Sequence, residues 1–240
     1  MKSKQASKIT PKARGSKRLM SELLTDTRQY IEQAEHADVE TLRQFLLANP
    51  ERPLIAMGHG GAHSSASYAS LLYGTNCGLG RVVTPYEANS FSDETIRNSK
   101  LLLVSTSLKN QDAVYIADRM IRVNPQHSCV LTMSQDENTM MKRMMKNNPN
   151  SVIRHSFDCA DGFISVNGTF IYFSLLYKAF TGDADFSRRL VLSSESADNY
   201  TYRCVDGITT PPDLGSISQF TVLYGSYGEP VAHKMESNMT

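Results

Sequence analysis

From Pro53 onward the chain repeats one pattern five times: a short apolar run, then a longer stretch of helical periodicity. "PLIAM" precedes residues 64–73, "RVVT" precedes "PYEANSF", and "LLLVS" precedes residues 112–123. "SCVLTM" is then followed by residues 135–146, and "SVIRH" by residues 161–180. Runs this short and this continuously apolar suit strands buried on both faces, and helices between them suit parallel connection. Right-handed crossovers then predict an α/β fold, a doubly wound three-layer α/β/α sandwich with a five-stranded parallel sheet. In such sheets ligands bind beyond the carboxyl ends of the strands, where the strand order reverses. Chemistry-bearing residues are therefore expected just after each strand.

The flanking segments read differently. Residues 1–18 carry Lys2, Lys4, Lys8, Lys12, Arg14, Lys17 and Arg18 with no acidic residue. With no aromatic interleaving and no apolar face, this is a basic disordered tail, and nucleic acid is not an expected partner. Residues 19–50 hold two amphipathic patterns, 20–35 and 39–48, which form a helical lead-in packed on the main domain. A helix-turn-helix reader would need a third helix that this stretch has no room for. The net charge of +1 and the 20% of charged residues describe an ordinary globular protein, not one that works by global electrostatics. No window is long and apolar enough to span a bilayer, and no apolar signal core opens the chain, so the expectation is a cytoplasmic protein with no membrane partner. Cys77, Cys129, Cys159 and Cys204 form no CxxC pair, so they read as buried thiols of a reduced protein, with no metal and no cofactor expected.

Two strand ends carry the unusual residues. "AMGHGGAHSSAS" places glycines at 58, 60 and 61, where the backbone can turn tightly and approach a ligand closely. Ser64 is expected to start the helix whose free N–H groups can hold an anion. The spacing fits neither the dinucleotide-binding fingerprint nor a P-loop, and no GxSxG elbow accompanies Ser64 and His63. His59 and His63 stand four apart, but glycines break any helix between them and no third metal ligand is evident. The second end is "LLLVSTSLKNQDAV", residues 101–114. Ser105, Thr106 and Ser107 supply short hydroxyl donors, Lys109 a cation, and Asn110 a side chain able to cap the next helix. A dianionic phosphate asks for such donors beside a helix N-terminus. The same residues also make an ordinary Ser/Thr-rich turn with no ligand.

These paired loops resemble the sugar isomerase (SIS) domain of phosphosugar isomerases and phosphosugar-binding proteins, a flavodoxin-like or Rossmann-like sandwich. There the first strand ends in Gly-x-Ser and the third in Ser-x-Ser-Gly-x-Thr-x-Asp. This chain reads "GHG" at 58–60 and "STSLKNQD" at 105–112, so Ser105, Ser107 and Asp112 match. "VVTPYEANSF" resembles the family's second strand and places Glu87 at its acidic position. "DGFISVNGTF", residues 161–170, resembles a loop and helix of the isomerase half of glucosamine-6-phosphate synthase. A catalytic glutamate falls there at the position of Asp161, and a small hydroxyl residue at that of Asn167. "FTVLYGSYGEPVA" resembles the first strand of a second SIS unit. The chain departs from the pattern at Leu108 for glycine, Gly60 for a hydroxyl residue, Asn110 for threonine, and Asp161 for glutamate.

The resemblance implies a SIS domain over residues 51–182, a helix or linker over 183–216, and the start of a second, incomplete unit over 217–240. It implies a homodimer that binds a sugar phosphate, with aldose–ketose isomerase or deglycase chemistry. Asp161, His59 and Glu87 are then the catalytic candidates. Gly58, Gly60, Ser105, Thr106, Ser107, Lys109, Asn110 and Asn167 are the phosphosugar-binding candidates. Isomerisation needs a base that moves a proton between adjacent carbons and an acid that opens the ring. Asp161 beside Phe163 suits the base, and equally suits a helix N-cap. His59 or His63 can open the ring, and Glu87 can orient a sugar hydroxyl or simply start its helix. The alternative function is a non-catalytic phosphosugar-binding regulatory module using the same loops.

Overall fold

A computed structural model of the chain describes residues 20–134, 139–157 and 166–183. Two helices lead in, α1 (Met20–His36) and α2 (Glu40–Leu47). Then come β1 (Leu54–Met57), α3 (Gly61–Asn76), β2 (Gly80–Val83), two short helices α4 (Pro85–Ala88) and α5 (Asp93–Asn98), and β3 (Lys100–Val104). The described chain ends with α6 (Gln111–Val123), β4 (Ser128–Thr132), α7 (Thr139–Asn147), β5 (Val152–Arg154) and α8 (Val166–Thr181). The strands pair in parallel in the order β2-β1-β3-β4-β5, with Leu54 beside Gly80 on one side and Lys100 on the other. The order reverses between β1 and β3, which is where a doubly wound sheet opens a crevice.

Period-two alternation along the strands divides the core into two layers. Leu54, Ala56, Leu102, Val104 and Leu131 face a cluster shared with α2, α3 and α8. Ile55, Met57, Leu101, Leu103 and Val130 face the opposite cluster, shared with α4 to α7. Met141 and Met144 of the methionine-rich α7 are buried in that second cluster, so they fill core. The fold is the expected three-layer α/β/α sandwich.

The lead-in closes over α8. Ile31 and Ala34 of α1 are fully buried, and the Lys178 Nζ donates to the carbonyls of Glu35 and Ala37, 2.7 Å each. The Arg43 guanidinium donates to the Ala179 carbonyl at 3.0 Å. Each bond crosses more than 130 positions of sequence, so α1 and α2 belong to the same packed unit as the sheet.

Two expectations need correction. Helix α3 begins at Gly61, not Ser64, because Gly60 takes a left-handed φ of 56° and turns the chain into the helix three residues earlier. Ser64 is consequently buried inside the helix, 1% exposed. Helix α5 was not anticipated; Ser92 caps it by accepting the Thr95 N–H at 3.1 Å. The expected second SIS unit, basic disordered tail and linker fall outside the described residues.

Candidate functional site

The end of β1 is shaped by two glycines with different tasks. A Cβ on Gly58 would sit 2.2 Å from the Ala62 carbonyl oxygen, so only glycine lets the strand end lie against the first turn of α3. Gly60 has open space around it, but its φ of 56° with ψ of −131° belongs to glycine. The Ala62 N–H donates back to the His59 carbonyl at 3.2 Å and closes the turn. Here close approach serves the strand–helix packing first.

The end of β3 is held at several points. The Ser105 N–H donates to the Leu131 carbonyl at 3.0 Å, extending the pairing one residue past the strand. The Ser105 Oγ accepts the Leu108 N–H at 3.0 Å, and the Thr106 carbonyl accepts from the buried Thr132 hydroxyl at 3.1 Å. Leu108 takes φ of 49° with a side chain 1% exposed, within the core cluster that holds Ala113 and Ile116. Asn110 caps α6, its Oδ1 accepting the Ala113 N–H at 3.1 Å.

Between these ends lies a crevice of about 220 Å³. His59, Gly61 and Ala62 form one wall, Pro85 closes the side after β2, and residues 104–107 with Asn110 and Ala113 form the other. It sits where the strand order reverses, under the N-terminus of the 13-residue helix α6. The lining carries hydroxyls, a carboxamide and one imidazole, with no carboxylate, lysine or arginine among the described residues. An oxyanion there would meet neutral donors and the positive end of a helix dipole, in a wall partly withdrawn from water.

The structure brings together His59, Ser105, Thr106, Ser107 and Asn110. Lys109 is exposed and stands outside the lining. Glu87 is exposed and committed to a capping box: its carboxylate accepts from the Thr84 N–H at 2.6 Å and the Thr84 hydroxyl at 2.8 Å, while its own N–H donates to the Thr84 Oγ1. Those bonds, the backbone one foremost, hold its carboxyl below the usual carboxylate range. Asn167 is 1% exposed, and its Oδ1 accepts the Thr27 hydroxyl at 2.6 Å, tying α1 to α8. Asp161 lies outside the described residues. No group of three or more His, Cys, Asp or Glu able to hold a metal occurs among the described residues. No described helix is long and apolar enough to cross a membrane.

Sequence reasoning missed the apolar walls, Ala62, Pro85 and Ala113, and the supporting Thr132. Thr132 carried a signal: a hydroxyl residue closing the strand directly after the apolar run of residues 129–131. A larger groove, about 620 Å³, runs beside β5 and mixes the Asp38 carboxylate with Arg154 and His155. Burial holds the His155 imidazole below its ordinary range. That groove lies at the edge strand, away from the reversal of strand order, and includes a carboxylate.

A doubly wound α/β protein with a small crevice lined by hydroxyls, a carboxamide and an imidazole at its topological switch point is the class these features define. Solved structures resemble it, the first of them closely enough to share the fold. One is described as a candidate phosphosugar isomerase involved in capsule formation from Bacteroides fragilis; it is 18% identical, covers 72% of this chain and 91% of its own, and gives a TM-score of 0.52. A candidate sugar binding protein from Salmonella typhimurium is 16% identical over 75% of this chain and 52% of its own, with a TM-score of 0.49. A hypothetical protein from Methanococcus jannaschii, whose structure was taken to infer a 3-hexulose-6-phosphate isomerase function, is 11% identical over 75% of this chain and 97% of its own, at 0.48. No family model matches the chain, and no curated protein does. The likeness is one of fold.

Proposed function

We propose that the chain is a SIS-type phosphosugar-binding protein of the aldose–ketose isomerase or sugar-phosphate deglycase class, acting in the cytoplasm. The observation that carries the reading is that Ser105, Thr106 and Ser107 line one crevice at the switch point together with Asn110, the cap of α6. Short donors around a helix N-terminus suit a phosphoryl group, which a sugar would carry with its polyol toward His59. Leu108, which stands where the resembled pattern has glycine, takes a left-handed φ of 49° and is buried in the core outside the crevice lining, so it leaves the crevice open.

In an isomerase of this kind a base removes the proton from the carbon next to the carbonyl, and the resulting enediolate is reprotonated on the neighbouring carbon. His59 is the acid–base side chain in the described lining, suited to proton exchange with the substrate oxygens. Asp161 remains the proposed carbon base. Fructose 6-phosphate and glucosamine 6-phosphate are the probes. Calorimetry on the full chain should show saturable binding of at least one, lost about a hundredfold in the Ser105→Ala/Ser107→Ala double variant. Interconversion followed by NMR, abolished in Asp161→Asn, assigns an enzyme, whereas binding without turnover assigns the regulatory module. An absence of binding to either probe contradicts both.

A further inference from the structure

Leu108 is a branched apolar residue at a φ of 49°, a conformation that L side chains rarely adopt. Such a residue persists only where its surroundings over-determine it. Two contacts do so here. Its side chain is 1% exposed within the cluster of Leu103, Ala113 and Ile116, and its N–H donates to the Ser105 Oγ at 3.0 Å. The second contact has a chemical consequence for the crevice. With one acceptor position of the Ser105 oxygen occupied by an amide, the hydroxyl hydrogen remains to be donated, and Ser105 lines the crevice. The Thr132 hydroxyl on the Thr106 carbonyl holds the same turn from the β4 side.

We propose that Leu108 is a positioning residue: its buried side chain anchors the turn of residues 105–110 in the left-handed conformation and so presents the Ser105 hydroxyl as a donor to an oxyanion in the crevice. The inference rests on the phosphosugar reading for the ligand and on the geometry alone for the anchor. A glycine there would reach the same φ without strain but would keep only the N–H bond to Ser105 and lose the buried side chain that anchors the turn. This chain exchanges freedom for preorganisation.

The test uses the full chain in four forms: wild type, Leu108→Ala, Leu108→Gly and the volume-conserving Leu108→Met. Amide hydrogen exchange reads the anchor without any ligand. Leu108→Ala and Leu108→Gly should speed exchange at residues 105–110 about tenfold or more, leave the β1 and β4 amides unchanged, and be rescued by Leu108→Met. Fructose 6-phosphate affinity should fall about tenfold in the Ala and Gly variants and return in Met. Uniform acceleration across the core with unchanged affinity would make Leu108 a mere core residue and overturn the proposal. So would wild-type exchange rates in Leu108→Gly, a variant that requires no strained backbone to fold. If wild type binds no fructose 6-phosphate yet shows the localised, Met-rescued exchange pattern, the anchor stands and the phosphosugar reading alone fails.

Discussion

Gly58 and Gly60 stand two positions apart, yet substitution should cost them differently. A methyl group at Gly58 collides with the backbone of α3, which cannot move without shifting the helix against the sheet. Gly58→Ala is expected to destabilise by about 3 kcal/mol, the upper end of overpacking. At Gly60 a methyl group meets nothing, so Gly60→Ala meets only the backbone penalty of a φ of 56° with ψ of −131°, about 2 kcal/mol. Urea unfolding of the two variants separates these causes, and equal losses would contradict the account. The tight turn was legible from the glycine spacing. Which glycine serves packing and which serves φ was not, because that depends on how close α3 comes. Leu108 illustrates the same limit: its departure from the glycine of the SIS pattern the loop resembles was visible, whereas its escape into the core follows from a turn that only the assembled loop defines.

At the scale of elements, the strands read clearly because both their faces are buried and the apolar runs are continuous. Helix α5 did not, since six residues with one buried side chain, Ile96, carry no periodicity. Lys100 shows a conflict resolved by tertiary contacts. A lysine opening a buried strand is 1% exposed, and its Nζ donates to the carbonyls of Leu46, at 2.8 Å, and Ala48 at the C-terminus of α2. It also lies 5.0 Å from the centroid of the Tyr73 ring. It pins α2 to the sheet and meets the negative end of the helix dipole. Burial nevertheless pushes its pKa down from 10.5 to about 8. The folded state therefore holds this proton less well than the unfolded chain. The stability this group contributes is full above about pH 10.5 and is lost as pH falls through about 8. Relative to Lys100→Met, wild type should lose about 3 kcal/mol of unfolding free energy between those limits, since each unit of displacement is worth about 1.4 kcal/mol. Parallel pH profiles for the two proteins would show that the contacts to α2 offset the burial.

Across the whole molecule, the alternation of apolar runs and helical stretches was enough to predict the three-layer sandwich, and the switch-point rule then pointed to the sheet edge where the crevice between β1 and β3 lies. The hydroxyl cluster at residues 105–107 and the cap at Asn110 could be picked out because they interrupt an apolar pattern abruptly. Glu87 and Asn167 show why the remaining candidates could not be sorted in advance. A carboxylate three residues after Thr84 serves a capping box, and a carboxamide early in α8 serves an interhelical bond. Sequence spacing does not distinguish such partners from a ligand. We further propose that the chain forms a homodimer, as the SIS resemblance implies. Analytical ultracentrifugation of the full chain should return twice the mass of 26.7 kDa, and a single-chain mass would remove the partner subunit from the account.

The central claim, that the crevice between β1 and β3 receives a phosphorylated sugar, is tested most directly by NMR titration of the full chain with fructose 6-phosphate. The account predicts the largest amide shifts at residues 59–62 and 105–113, saturating together. Shifts centred instead on the groove beside β5, or none at all, would contradict it.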